Sequence, residues 1–343
     1  MKRALYLTVA AALVLSFLTG CASSQPAAQP AKATTQPAGV APTTQPAAKS
    51  NERYVMVVLI SGHPFWNDIK KGAQDAANQL GVKFEFTGPV EFDAAAQASQ
   101  VEQLIGTKPA GIIVGSYDPS MTATINKAIA AGIPVATFDS DAPESKRLVF
   151  VGPDHYQIGW EYGRYMAQML GGKGEVGVLT VLSQTNLMRR VQGIKDYFAQ
   201  NAPDIKVVAM EDNAGDDQIT ADKTKTMIQA HPEIDGVIVV NATGSGVATA
   251  IKEMDKVGKI KVITSDVSDP ILKGITDGAI DATSYVNIYL EGYYSVKLLH
   301  DFVSGSTSGV PGAKVGVNQL PTTVNPGLFF VTKDNASAFM SGK

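Results

Sequence analysis

Between residues 54 and 60 the chain reads YVMVVLI, an unbroken apolar and largely β-branched run. Continuous runs of this length, unlike alternating ones, are expected of strands buried on both faces of a parallel sheet. The run stops at Ser61-Gly62, and His63, Pro64, Phe65 and Trp66 follow before a helical period sets in over 67–80 and closes at Gly81. From there the pattern alternates. Strands are expected near 82–87, 110–114, 133–138 and 148–151, and helices near 94–106, 119–131 and 157–170. Such alternation predicts βαβ units and a parallel sheet.

The same order then begins again. Strands are expected at 175–182, 205–210, 236–240 and 260–264, with helices at 188–200, 218–230 and 246–257. AGIIVGS at 110–116 can be laid against DGVIVVN at 235–241, and IPVATFDSD at 133–141 against IKVITSD at 260–266. Ser61, Gly115 and Asp139 mark strand ends in the first half, and Ser183, Asn241 and Asp266 mark them at similar intervals in the second. The pattern predicts an α/β protein of two similar lobes, each a parallel sheet with helices on both faces, joined by a three-strand hinge. The chain is expected to cross near 153–154, return near 286–287 into a helix at 289–303, and cross again near 321–326 to place a tail at 328–332. Residues 52–153 with about 287–321 would form the N-terminal lobe. Residues 154–286 with about 322–343 would form the C-terminal one.

What precedes residue 52 has a different composition. Lys2 and Arg3 lead an apolar stretch, 4–18, too short to span a bilayer comfortably. It ends in Leu18-Thr19-Gly20-Cys21, which resembles the lipobox of bacterial lipoproteins, where the cysteine is acylated and becomes the mature N-terminus. An ordinary secretory signal followed by a chance cysteine is the other reading. On the first, 1–20 is a signal peptide and Cys21 a lipidation site. Residues 22–50 are mostly Ala, Pro, Gln, Thr and Ser without an aromatic, so they cannot bury apolar surface and are expected to be a disordered tether up to residue 51. Fully extended, it would reach roughly 90 Å. The whole chain has 343 residues, 45% hydrophobic and 18% charged, with a net charge of −3 and one cysteine. That length supports two cores. The charge argues against nucleic acid as a partner, and a single cysteine excludes an internal disulfide.

In open α/β sheets ligands bind beyond the carboxyl ends of the strands. If the lobes face each other there, the first contributes His63, Phe65, Trp66, Ser116, Tyr117, Asp139 and Asp141, and the second Gln184, Asn186, Arg190, Asn241 and Asp266. Carboxylates and amides bond neighbouring hydroxyls, arginine adds a planar fork, and aromatic faces cover the C–H side of a sugar ring. Each has a plainer alternative. Phe65 and Trp66 could only staple a helix start, Asp139 and Asp266 could cap the following turns, and Arg190 could be a surface helix residue beside Arg189. His63 could be no more than a turn histidine.

Other chemistry is weakly marked. Gly244-Ser245-Gly246 lacks the third glycine of a dinucleotide fingerprint. The acidic stretch 211–217 lacks the calcium-loop pattern. His155, His231 and His300 have no metal-ligand spacing, and no G-x-S-x-G elbow occurs. A glycosidase would have to rest on Asp139 and Asp266 alone. No enzyme, cofactor or metal is expected.

From about Arg53 onward the chain resembles the ribose-type periplasmic substrate-binding proteins of ABC sugar importers. The resemblance rests on SGHPFW (61–66), KKGAQDAA (70–77), AIAAGIPVATFDSDAP (128–143) and ILKGITDGAIDAT (271–283) taken together. It implies ligand roles for Phe65, Trp66, Asp139, Arg190, Asn241 and Asp266, and for His63, where ribose binders carry asparagine. Ribose binders follow the first aspartate with arginine. Here Ser140-Asp141 stands instead, a form closer to binders of other simple sugars and of autoinducer-2. The usual glutamine before the last crossover has no clear match, and Val286 or Asn287 stands there. The resemblance implies a monomeric, membrane-anchored lipoprotein of the periplasm or extracellular face that closes on a small polyhydroxylated ligand and delivers it to an ABC permease. A sensory protein presenting a sugar or autoinducer-2-like signal to a membrane receptor is the alternative. A repressor's sensor domain of the same fold would need a DNA-binding helix-turn-helix where residues 1–50 stand.

Overall fold

The computed structural model describes residues 51–306 and 320–340. Cys21 and the tether at 22–50 lie outside the described residues.

The first lobe begins β1 (Arg53–Val57), α1 (Trp66–Leu80), β2 (Lys83–Thr87), α2 (Ala94–Thr107), β3 (Gly111–Val114), α3 (Met121–Ala130), β4 (Val135–Phe138) and β5 (Val149–Val151). The second holds α4 (His155–Leu170), β6 (Lys173–Thr180), α5 (Thr185–Asn201), β7 (Asp204–Asp212), α6 (Asp217–Ala230), β8 (Ile234–Val239), α7 (Gly244–Glu253), β9 (Lys261–Ser265), α8 (Asp269–Thr276) and β10 (Ala282–Val286). The chain then returns through α9 (Ile288–Val303) and β11 (Thr323–Val324), and ends near β12 (Leu328–Thr332).

The two sheets repeat one design. The first runs β2-β1-β3-β4-β5-β11 and the second β7-β6-β8-β9-β10-β12, so corresponding strands occupy corresponding places. All pairings in the first sheet are parallel. In the second only β12 runs antiparallel, against β10. Beyond their first residues the central strands are buried, as the unbroken apolar runs require, and each sheet is covered by apolar clusters on both faces.

Helix packing repeats as well. α1 lies against α9 where Gly72 meets the Tyr289 carbonyl and Gly292 meets the Ile69 carbonyl, and a Cβ at either glycine would collide with backbone. α4 lies against α5 in the same way, through Gly159 at Arg190 and Gly193 at Tyr156. Glycine is needed at these four points because backbone meets backbone, and alanine would force the helices apart. The second pair brings the backbone of Arg190 down onto the start of α4.

Two expectations need correction. The first strand ends at Val57 and not at residue 60, although Val58 still donates to the Thr87 carbonyl at 2.9 Å. Thr323 and Val324 pair with Phe150 and Val151 of the first sheet. The third crossing therefore falls between Val324 and Leu328, and these two residues do not belong to the second lobe. Their parallel bonds to β5 hold them there. α8, β10 and β11 are elements that the hydrophobic pattern did not single out.

Candidate ligand-binding cleft

Asp139 follows β4 and Asp266 follows β9, at equivalent strand ends. Both adopt left-handed backbone, with φ of 53° and 70°. Few residues other than glycine settle there, and aspartate is among those that do. Each amide donates to the next strand, Asp139 to the Val151 carbonyl at 3.2 Å and Asp266 to the Ser284 carbonyl at 2.8 Å. Sheet and turn together hold both carboxyls at the edge where the lobes meet.

Arg190 reaches between them from α5. Its guanidinium is buried, with Nη1 donating to the Val240 carbonyl at 2.8 Å and to Ser265 Oγ at 2.7 Å. Its Nε donates to His155 Nδ1 at 3.0 Å. A nitrogen that accepts carries no proton, so His155 holds its hydrogen on Nε2, which donates to the Asp139 carbonyl at 2.6 Å. Burial and the Arg190 charge hold the imidazole neutral, down to about 3. Sequence reasoning considered His155 only as a metal ligand and missed this role.

Burial lifts the Asp139 carboxyl above the ordinary carboxylate range, against the Tyr117 hydrogen bond and the Arg190 charge. Asp266 is lifted for the same reason, again against Arg190. The Tyr117 hydroxyl donates to Asp139 Oδ2 at 2.7 Å. Burial and that neighbouring carboxyl keep the phenol protonated.

The opposite wall is aromatic. Phe65 and Trp66 meet edge to face with centroids 4.8 Å apart, and Trp66 packs on Tyr117 and Phe138. Its indole N–H donates to the Ile60 carbonyl at 2.6 Å, which leaves only ring surface for a ligand. His63 Nδ1 accepts from the Phe65 amide at 3.1 Å, and burial lowers its pKa.

His63, Phe65, Trp66, Tyr117, Asp139, Gln184, Asn186, Arg190, Asn241 and Asp266 line one cavity of about 210 Å³ between the lobes. Phe92, Ala214, Gly215 and Thr243 line it too, and the hydrophobic pattern did not reveal them. The half-exposed Phe92 sits in an irregular loop with no periodic signal. The lobes also touch directly, since the backbone N–H and Oγ1 of Thr185 both reach the Tyr117 carbonyl at 3.4 Å.

Three expected residues are not brought to this cavity. Ser116 and Asp141 border a second cavity of about 490 Å³, together with Asp118, Pro153 and Arg189. Ser116 is tied to the neighbouring turn after β4, its amide donating to the Ser140 carbonyl at 2.9 Å. Asp141 is neutralised by Arg147, accepts from Thr137 Oγ1 at 2.7 Å and caps its own turn at the Ala142 amide. Asn287 stands at the start of α9, where its side chain makes no capping bond, and it lines neither cavity.

Residues 54–307 match the family described as "Periplasmic binding protein domain". The D-allose-binding periplasmic protein of Escherichia coli is 27% identical over 72% of this chain and 83% of its own length. Among solved structures, the sugar-binding protein of a sugar ABC transporter from Bacillus halodurans is 34% identical, covering 84% of this chain and all of its own, with a TM-score of 0.76. AraP, an arabinose-binding protein from Geobacillus stearothermophilus, is 34% identical over 85% of this chain and all of its own, with a TM-score of 0.72. The XylFII–LytSN complex contains a chain that is 25% identical over 83% of this one and 99% of its own, with a TM-score of 0.75. The match across most of the chain and the doubled six-strand architecture lead to one conclusion: the chain belongs to the periplasmic binding protein family.

Proposed function

We propose that the chain captures one monosaccharide between its lobes and hands it to an ABC importer, held at the membrane by lipid on Cys21. The observation that carries this reading is one cavity in which carboxyls, an amide and a buried guanidinium oppose an aromatic wall. Asp139 and Asp266 accept from sugar hydroxyls, Arg190 and Asn241 donate to them, and Phe65 with Trp66 covers the ring. The cavity, about 210 Å³, lies below the roughly 300–1,000 Å³ of clefts that hold drug-sized ligands, which suits one small ring. The relatives that bind allose and arabinose support an aldose as the class. Their roles in binding and transport also support a protein that does no chemistry on its ligand.

A ligand that touches Asp139 in one lobe and Asp266 in the other binds the closed arrangement better, and only that difference shifts the population. A second reading is that the loaded protein signals to a membrane receptor instead of an importer; a similar chain of known structure is found in complex with a second protein, LytSN. Calorimetry against ribose, arabinose, xylose, allose, glucose, deoxysugars and autoinducer-2 tests the proposal. Bonds to charged groups contribute roughly 1.5–3 kcal/mol each, so Asp266→Ala should weaken the best ligand by roughly tenfold to a hundredfold without unfolding the protein. Wild-type affinity in both Asp139→Ala and Asp266→Ala would remove the assignment of this site.

A further inference from the structure

Asn241 carries an amide, which in principle can accept or donate, and its neighbours decide which. Asn213, fully buried at the end of β7, stands directly behind it. Asn213 Oδ1 accepts from the backbone N–H of Gly215 at 3.1 Å. A backbone N–H can only donate, so that contact fixes which end of the Asn213 amide is oxygen. Its Nδ2 then has two hydrogens, and both are placed, one on Asn241 Oδ1 and one on Thr243 Oγ1, each at 2.9 Å.

The orientation passes on to Asn241. Its Nδ2 donates to Asn213 Oδ1 at 3.0 Å, closing a reciprocal amide pair. Its Oδ1 accepts a second bond, from the Thr243 hydroxyl at 2.9 Å. The Thr243 oxygen takes one hydrogen from Asn213 Nδ2 and one from the Thr220 hydroxyl at 2.8 Å, so that its own hydrogen is given to Asn241. Both acceptor positions and one hydrogen of Asn241 are therefore used within the protein. One N–H is left, and Asn241 lines the cavity.

We infer that Asn213 is a positioning residue that makes Asn241 a donor only, so that the ligand must present an acceptor oxygen there. A hydroxyl, ring or carbonyl oxygen meets that demand. An ammonium group, which has no lone pair, does not, so an amino sugar with nitrogen at this position is rejected. The inference deepens the reading of the cavity as a monosaccharide site and rests on it for the identity of the ligand, but not for the orientation of the amides.

Two measurements test it. Neutron diffraction from crystals of the exchanged protein distinguishes Oδ1 from the deuterated Nδ2 directly. It should show Asn241 Oδ1 toward Thr243 and one deuterium toward the cavity, and the opposite orientation overturns the inference whether or not a sugar binds. The second measurement is the affinity of Asn213→Asp for D-arabinose relative to wild type at pH 8 and pH 5. An aspartate at 213 has nearly the same shape, but its carboxylate cannot donate to Asn241 Oδ1, whereas its protonated form can.

Relative affinity should fall by more than about tenfold at pH 8 and recover to within about threefold at pH 5. A purely structural role lowers the unfolding temperature but leaves this ratio independent of pH in the folded protein, and a ratio within about twofold of wild type at both values overturns the inference. If Asn213→Asp does not fold at pH 8, Thr243→Val replaces it. Thr243→Val should lose about threefold to tenfold, and unchanged affinity again overturns the inference. Wild-type protein that binds no sugar while the neutron orientation holds refutes the monosaccharide reading and leaves the orienting role of Asn213 standing.

Discussion

Arg190 donates its Nε–H to Nδ1 of His155 at 3.0 Å, and the imidazole passes a hydrogen bond to the Asp139 carbonyl at 2.6 Å. The chain of bonds runs from α5 of the second lobe through the start of α4 to the turn after β4 of the first. It works only while His155 is neutral, because a protonated ring has no acceptor for Arg190.

A pH dependence follows. The folded-state pKa of His155 is depressed from 6.5 to about 3, so its contribution to stability is complete above 6.5 and is lost as pH falls toward 3. One group with this shift costs up to roughly 1.4 kcal/mol per pH unit. Denaturant unfolding at pH 7 and 4.5 should show wild type losing about 2 kcal/mol more than His155→Gln, since glutamine does not titrate. Equal losses in the two proteins would contradict the neutral-histidine assignment. Taking the difference cancels the carboxyls, which titrate in both.

The doubled fold was legible in the sequence because parallel strands must be apolar on both faces, and that leaves runs such as 54–60 and 236–240. Asp139, Asn241 and Asp266 were legible because strand ends are where an α/β sheet presents side chains. Asp141 misled because it shares a short motif with Asp139, yet it is turned toward Arg147. Asn213 also sits at a strand end, but within an acidic stretch that reads as a solvated loop. Glu291 left no signal, because burial of a helical glutamate depends on which helix covers it.

Glu291 lies fully buried on α9, and among the described residues its carboxyl has no side-chain partner, the backbone of Asp139 being the hydrogen-bonding group beside it. Burial, with Asp139 nearby adding to it, raises its pKa well above 4.5. A raised value means stability is complete below 4.5 and is lost as pH climbs through the folded-state value. Glu291→Gln removes that loss. The variant should gain about 1–3 kcal/mol over wild type at pH 8 and little at pH 4, read from denaturant midpoints. A variant less stable than wild type at pH 8 would show that the carboxylate has a partner it needs.

Cys21→Ser tests the anchor. Two acyl chains attach a protein stably where one binds marginally, so the substitution should move the protein from the membrane fraction to the soluble fraction of the cell envelope. Ligand affinity should stay within about twofold of wild type, since Cys21 precedes both lobes in the sequence. Protein that remained in the membrane fraction would refute lipidation at this position.

The last prediction concerns closure. Thr185, at the first turn of α5, offers its N–H and Oγ1 to the Tyr117 carbonyl of the other lobe at 3.4 Å, and Tyr117 in turn holds Asp139. These bonds exist only when the lobes meet, so they favour the closed form independently of any ligand contact. Three crossings, after β5, β10 and β11, resist twisting and leave one bending motion soft. Saturating sugar should therefore lower the radius of gyration in small-angle scattering. It should also change the emission of Trp66, which packs on Tyr117, and the signal should survive Trp160→Phe because Trp160 lies against Tyr156 and Tyr197 on α4 and α5. Thr185→Ala removes one of the two bonds from Thr185 to Tyr117, so affinity should fall by about twofold to fivefold with no change in ligand preference. Scattering that shows no compaction at saturation would refute closure as the mechanism. A changed preference in Thr185→Ala would mean that this residue touches the ligand and does not latch the lobes.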